Sequence, residues 1–304
     1  MERKSFVLLG HPLKHSLSPA MLTAAFRAAG YSHSYAAVEI PNPKNLPRAV
    51  AFLREGIYAG ANVTLPYKRS VIPLVDEVAQ TASEIGAANL VARTPEGKLV
   101  AHNTDIAAVP AEIAEATAGR ARAVVLGAGG AALAAIAACK RLGFSTIGVT
   151  TRSWSTTEAT FTSDSARQVR ALGGIAAVWP SADQAEQTTK LSMEMRLQWT
   201  ELARGADIVI QATSTGMYGG APGEPVAELV PFAKMGPEAV ALDLVYRPEM
   251  TPFLQRAAEA GKRTVGGLGM LVRQAHASYR IWLGEDPPEG VMLEAARVML
   301  AMKQ

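Results

Sequence analysis

Residues 122–152, RAVVLGAGGAALAAIAACKRLGFSTIGVTTR, pass from an apolar strand through a glycine turn into an Ala-rich helix and out into a second apolar strand. No other stretch constrains the fold as much. Strands joined through a helix pair in parallel, and a parallel pair belongs to a sheet covered on its faces. Gly127, Gly129 and Ala132 stand at the strand-to-helix junction in a G-x-G-x-x-A spacing. The first glycine permits the tight turn, the second lets a phosphate approach the backbone, and Ala132 keeps helix and strand close. Free N–H groups along Gly127, Ala128, Gly129, Gly130 and Ala131 then face the phosphates at a helix start. The spacing points to a dinucleotide site, with a merely tight turn as the alternative.

The second strand ends in Thr151, Arg152 and Ser153, where an NAD-binding chain usually carries an acidic residue for the ribose hydroxyls. An arginine there pairs with a ribose phosphate, so NADP is expected in preference to NAD; a solvated surface arginine is the other reading.

A chain of 304 residues, 49% hydrophobic and 19% charged, is long enough for two packed cores. The net charge of +3 is small, and no run of Lys and Arg interleaved with aromatics marks a nucleic-acid surface, so no such partner is expected. The start, MERKSFVLLGHPLKHS, lacks the long apolar run of a signal peptide, and nowhere do the roughly eighteen apolar residues of a membrane span run together. A soluble cytoplasmic protein is expected. Cys139 has no disulfide partner and sits in the Ala-rich helical pattern, where packing is favoured over reactivity. The five histidines show no metal-ligand spacing, so no metal is expected.

Ahead of the glycine turn, residues 5–10 read as a buried strand, followed by a helix with Ser18 as N-cap, Pro19 at its first position and Gly30 as its stop. Residues 35–40 give a second strand, 46–56 a second helix, and GANVTLP a third strand turning at Pro66, an alternation that argues for a parallel sheet. VARTPEGKLVAHNTD reads as a hairpin around Glu96 and Gly97, then a loop, then a helix over 106–119 where the domain boundary is placed. Beyond the nucleotide unit, 153–205 is polar and Ser/Thr-rich, with helical stretches at 168–172 and 184–204 and a candidate strand in IAAVWP. Further strands are expected in ADIVIQATSTGM, EAVALDLVY and KRTVGG, and helices from 269 to the C-terminus, broken at GEDPPEG.

Lys68 follows a strand end and Asp105 lies in the loop HNTD; ligands of parallel sheets bind beyond such ends. A lysine beside an aspartate in a cleft can move a proton to or from an alcohol while a nicotinamide exchanges hydride at the same carbon. From spacing alone, solvated surface groups are the favoured reading of these two residues.

The order of motifs goes further. GHPLKHSLSPAM, GANVTLPYK, EIGAAN, HNTD, LGAGGAA, TTRS, ATSTGM, DLVYRPEMTPFL and GLGMLVRQA follow one another as in the shikimate/quinate dehydrogenase family, which the chain resembles from end to end. The resemblance implies an α/β protein with an N-terminal α/β substrate domain (1–119), a Rossmann-type NADP-binding domain (120–268), and C-terminal helices (269–304) that return to the first domain. It implies Lys68 and Asp105 as the catalytic pair, and Ser16 and Ser18 as hydroxyls holding a substrate carboxylate. Thr64, Asn89, Asn103 and Gln274 match positions that bind the ring hydroxyls and carboxylate, with Tyr246 at the cleft edge. Arg152 matches the adenosine-phosphate arginine, while Thr213, Ser214, Leu244, Gly267 and Met270 match positions lining the dinucleotide cleft. Asn62 and Thr64 would then project toward that cleft.

The implied activity is reversible reduction of 3-dehydroshikimate to shikimate by NADPH, on a small cyclohexene carboxylic acid, by a monomer or homodimer. The chain departs from the family pattern at Leu22 and Thr23, where His-Asn is usual, at Leu90 for Thr, at Ala108 for Gly and at Leu133 for Arg, and it lacks a frequent second arginine after Arg152. Leu90 and Ala108 flank the expected ring site, which leaves quinate or aminoshikimate dehydrogenase as an alternative activity. The alternative of another class is a module that binds dinucleotide and cyclohexene acid without turnover.

Overall fold

The computed structural model describes residues 2–117, 121–180 and 190–302, the side chains of 190–196 excepted. The chain divides into two compact units, Met1–Ala108 with Gly269–Gln304, and Val109–Leu268.

The first unit is built on β1 (Ser5–Gly10), whose run FVLLG is buried throughout and therefore takes a central place in a six-stranded sheet. β2 (Ser34–Glu39) and β3 (Gly60–Val63) flank it in parallel, so that Phe6 stands beside both Tyr35 and Gly60. The sheet continues through an antiparallel hairpin of β5 (Leu90–Arg93) and β6 (Leu99–His102), with the short β4 (Glu77–Val78) at the edge. The sheet is therefore mixed rather than wholly parallel as expected, because the 94–98 turn closes within a few residues and returns β6 directly alongside β5. α1 (Ser18–Ala28) buries Met21, Leu22, Ala25 and Phe26 along one stripe, and α2 (Leu46–Arg54) buries Leu46, Ala49, Val50 and Leu53. α3 (Gln80–Ile85) fills the connection between β4 and β5.

α4 (Asp105–Thr117) carries the chain from one unit to the next, and the division falls inside it, at 108/109 rather than at the expected 119/120. A boundary within a helix has no Gly- or Pro-rich linker to mark it. Residues 118 and 119 of the expected helix lie outside the described residues.

The second unit is a six-stranded, wholly parallel sheet. β7 (Arg122–Leu126), α5 (Gly130–Arg141) and β8 (Thr146–Thr150) form the expected unit of strand, glycine turn, helix and strand. α6 (Thr157–Thr162), α7 (Asp164–Ala171) and a two-residue β9 (Ile175–Ala176) follow. After α8 (Lys190–Arg204) come β10 (Ile208–Gln211), α9 (Glu224–Ala227), β11 (Val240–Asp243), α10 (Pro252–Glu259) and β12 (Arg263–Val265). Of the helix expected over 184–204, residues 184–189 lie outside the description, and IAAVWP contributes only its first two residues to the sheet. The strand order β12-β11-β10-β7-β8-β9 reverses direction between β7 and β10, as in doubly wound dinucleotide-binding sheets. Val124, Leu126, Val209 and Ala241 face Trp199, Phe232 and Phe253 in one apolar core.

α11 (Leu268–Leu283) and α12 (Val291–Ala301) complete the first unit, where α12 packs on α1 and Trp282 of α11 stacks on Phe6. Among the described residues no helix is long and apolar enough to cross a membrane.

Candidate active site

In the first sheet β1, β3 and β6 run in one sense and β5 in the other, so the carboxyl ends of the first three and the start of β5 share an edge. Ser16, Lys68, Asn89 and Asp105 all come from that edge. Lys68 Nζ donates to Asp105 Oδ2 at 2.7 Å; the aspartate side chain is 1% exposed and the lysine 19%. The carboxylate is shut away and the ammonium is the member of the pair open to a ligand. One of its three hydrogens is taken by Asp105, which leaves two to offer.

Asn89 holds this pair in register. Its Nδ2 donates to Asp105 Oδ1 and Thr104 Oγ1, both at 2.9 Å, and lies 3.3 Å from Gln274 Oε1, while its Oδ1 accepts from the Thr104 N–H at 2.7 Å. Two hydrogens facing three acceptors leave Gln274, the farthest and a partly exposed residue, the one freest to turn to a ligand. Asn103 is 1% exposed and its amide is spent on backbone, donating to Ala87 O at 2.8 Å and accepting from the Asp105 N–H at 3.0 Å. It fixes the start of α4 and so the direction of the Asp105 side chain. Asn62 is likewise tied in: it accepts from the Tyr35 hydroxyl and donates to Ser278 Oγ, both at 2.9 Å, instead of projecting free into a cleft. Thr64 is partly exposed, and its carbonyl accepts from Tyr67 N–H in the turn leading to Lys68.

α1 starts one residue earlier than expected. Leu17 is the N-cap, Ser18 is the first helical residue and Pro19 the second, so Ser18 does not cap; Ser16 Oγ accepts the Ser18 N–H at 3.3 Å in its place. Buried Leu17 pins the turn inward and leaves both serines partly exposed at the positive end of the helix, a setting that favours a carboxylate.

Every expected dinucleotide residue but one lies in the second unit, after the carboxyl end of a strand. Gly127 has φ +120°, and a Cβ on it would stand 3.0 Å from the Ala212 carbonyl oxygen, so the turn requires glycine. At Gly129 a Cβ would meet nothing within 4 Å: the space over the start of α5 is open, bounded by Ala128, Gly130 and Ala131, while Ala132 is fully buried against the sheet. A pyrophosphate fits this cradle. Thr151, Arg152 and Ser153 follow β8, with Arg152 and Ser153 exposed. Thr213 and Ser214 follow β10 in a turn shaped by Gln211, whose buried amide donates to Thr215 O and accepts from the Thr213 N–H. Leu244 follows β11, and Tyr246 and Gly267, with Glu249, Gly266 and Leu268, line a cavity of about 220 Å³. Met270 is the exception: it is buried on α11, in the first unit.

Beneath this rim Asp243 is fully buried, accepting from Thr251 Oγ1 at 2.6 Å and from the Val245 N–H at 2.8 Å. Burial pushes its carboxyl up to about 7, against the opposing pull of those two donors. Sequence reasoning passed over Asp243, Gln211, Thr104 and Ser278. Of these Thr104, between two expected residues in HNTD, Asp243, just ahead of Leu244 in DLVY, and Ser278, one helical turn beyond Gln274, carried a positional hint. The departures at Leu90, Ala108 and Leu22 are 0%, 2% and 0% exposed and pack in the interior, as Asn89 at 3% and Asp105 at 0% also do.

Comparison with known proteins shows which family the chain resembles. The model of the shikimate dehydrogenase substrate binding domain matches residues 8–91, and that of the shikimate 5'-dehydrogenase C-terminal domain matches 267–297. The shikimate dehydrogenase (NADP(+)) of Geobacter metallireducens is 36% identical over 301 residues, covering 98% of this chain and 96% of the relative. The shikimate 5-dehydrogenase of Thermus thermophilus, solved in complex with NADP(H) and shikimate, superposes with a TM-score of 0.77 at 32% identity, covering 98% of this chain and all of that one. The quinate dehydrogenase of Corynebacterium glutamicum, in complex with NAD, superposes with a TM-score of 0.78 at 26% identity, covering 98% of this chain and 100% of that one. Matches near both ends of the chain and 36% identity to a named relative over nearly its full length lead to one conclusion: it belongs to the shikimate dehydrogenase family.

Proposed function

We propose that this protein is an NADP-dependent shikimate dehydrogenase, interconverting 3-dehydroshikimate and shikimate. The observation that carries the reading is the Lys68–Asp105 pair, 2.7 Å apart and anchored by Asn89 on the edge where the Ser16 and Ser18 hydroxyls also stand. NADPH, bound along the glycine turn, supplies the hydride. Lys68 donates a hydrogen bond, and then a proton, to the ketone oxygen as negative charge develops there; in the reverse direction it takes the alcohol proton. Asp105 keeps the ammonium aimed and balances its charge. Ser16 and Ser18 hold the substrate carboxylate, Thr64, Asn89 and Gln274 bind ring hydroxyls, and Tyr246 borders the ring. Asn103 acts one step removed, through Asp105. Arg152, with Thr151 and Ser153, takes the adenosine 2′-phosphate, and Thr213, Ser214, Leu244, Gly267 and Met270 line the cofactor.

The protein works on small molecules in the cytoplasm as a monomer or homodimer, without nucleic acid or membrane; its small net charge of +3 supports the absence of a nucleic-acid partner. The test is nicotinamide reduction with shikimate, quinate and aminoshikimate, each with NADP+ and NAD+. Fastest turnover with shikimate and NADP+ is expected, in line with the similarity to a shikimate dehydrogenase (NADP(+)) at 36% identity over 301 residues. Binding of these acids with no turnover of any would overturn the enzyme reading in favour of a sensing module.

A further inference from the structure

The polar stretch after β8 held no catalytic pattern in sequence, yet it contains one of the largest fully buried side chains of the protein, Trp154. Its backbone N–H donates to Thr151 O at 2.9 Å, closing a four-residue turn with Arg152 and Ser153 at the two central positions. Both are exposed, and among the described residues Arg152 has no hydrogen-bond or ion-pair partner. The Trp154 carbonyl accepts from the Trp179 N–H at 2.8 Å, just beyond β9, and its indole Nε1–H donates to Ser165 Oγ at 3.1 Å at the start of α7. α6 and α7 are themselves locked together: Ser163 caps α7, and Arg170 bonds the Thr160 and Phe161 carbonyls while lying over the Phe161 ring. One end of the turn is thus fixed by the sheet and the other by a side chain sunk in the core.

We infer that Trp154 is a positioning residue for cofactor choice, fixing the 151–154 turn so that the Arg152 guanidinium is already in place for the adenosine 2′-phosphate. The inference rests on the reading of Arg152 given above. A long flexible side chain on a loose turn loses both backbone and side-chain freedom when it grips an anion; on a pinned turn it loses only the latter, and the difference appears as selectivity. It also supplies a physical compensation for the missing second arginine.

NADP+ and NAD+ differ only by that phosphate, so calorimetric binding of each to the unliganded protein isolates the effect. Trp154→Ala is expected to weaken NADP+ about tenfold, the scale of one charge-assisted bond held out of place, and to leave NAD+ within about twofold. Ser165→Ala, which removes the indole's acceptor and leaves the tryptophan packed, and Trp154→Phe, which removes the indole bond with part of the ring volume, act in the same direction by less, and they carry the test if circular dichroism shows Trp154→Ala unfolded. Arg152→Ala abolishes the preference, and in that background Trp154→Phe has no further effect. Equal weakening of both dinucleotides, or of neither, in the folded Trp154 variants overturns the inference while leaving Arg152 its role. An Arg152→Ala variant that still prefers NADP+ overturns both.

Discussion

Lys68 and Asp105 divide the work by exposure as much as by charge. A carboxylate that is 1% exposed and bonded on both oxygens is turned into the protein, whereas the partly exposed ammonium has two free hydrogens. Lys68→Ala is therefore expected to lower kcat by about 10²- to 10⁴-fold, the usual share of a positioned acid–base group, with a much smaller change in the KM for shikimate. Steady-state kinetics check this, and near-normal turnover would remove Lys68 from the chemistry. Because the variant leaves a buried carboxylate without its cation, its melting temperature also falls, and rates are to be compared well below it. Lys68 itself was readable in GANVTLPYK, but Asn62 was misjudged from the same nine residues, since its partners Tyr35 and Ser278 lie 27 and 216 positions away.

At the scale of the element, the strand–turn–helix of β7 and α5 separates two roles that its glycines share by name. Gly127 is demanded by the fold, with its positive φ and the Ala212 carbonyl against it, whereas Gly129 faces open space. Gly127→Ala is expected to lower stability by about 1–3 kcal/mol through backbone strain and crowding, seen as an earlier denaturant midpoint. Gly129→Val is expected to melt near the wild type and to lose NADP+ binding in calorimetry. A Gly129→Val protein that binds normally would mean that no phosphate approaches there. The helix start of α1 teaches the same caution: SLSP marks a helix entry plainly, but which serine supports it depends on Leu17 being drawn into the core, which local propensity does not contain.

For the molecule as a whole, the buried carboxyl of Asp243 ties stability to pH. Its folded value, raised from 3.8 to about 7, means that the folded chain holds a proton which the unfolded chain releases. The associated stabilisation is complete below about pH 4 and is lost as the pH rises through about 7, a change on the order of a few kcal/mol. Asp243→Asn removes the titration. Measured by circular dichroism between pH 5 and 8, the melting temperature of the wild type is expected to fall relative to that of Asp243→Asn. A difference independent of pH would show that Asp243 titrates as an ordinary surface acid.

The sequence by itself determined the second sheet, because the glycine turn and the apolar strands around it admit little besides a parallel, doubly wound order. It also determined which residues reach the edges of both sheets, since those follow from strand ends. Tertiary structure alone decided the antiparallel half of the first sheet, the division inside α4, and the fate of each polar group: Asn103 spent on backbone, Asp243 driven toward neutrality, Trp154 sunk beneath Arg152. Strand and helix are set by patterns a few residues long. Burial and the pairing of polar atoms depend on neighbours far away in the chain, and no local pattern encodes them.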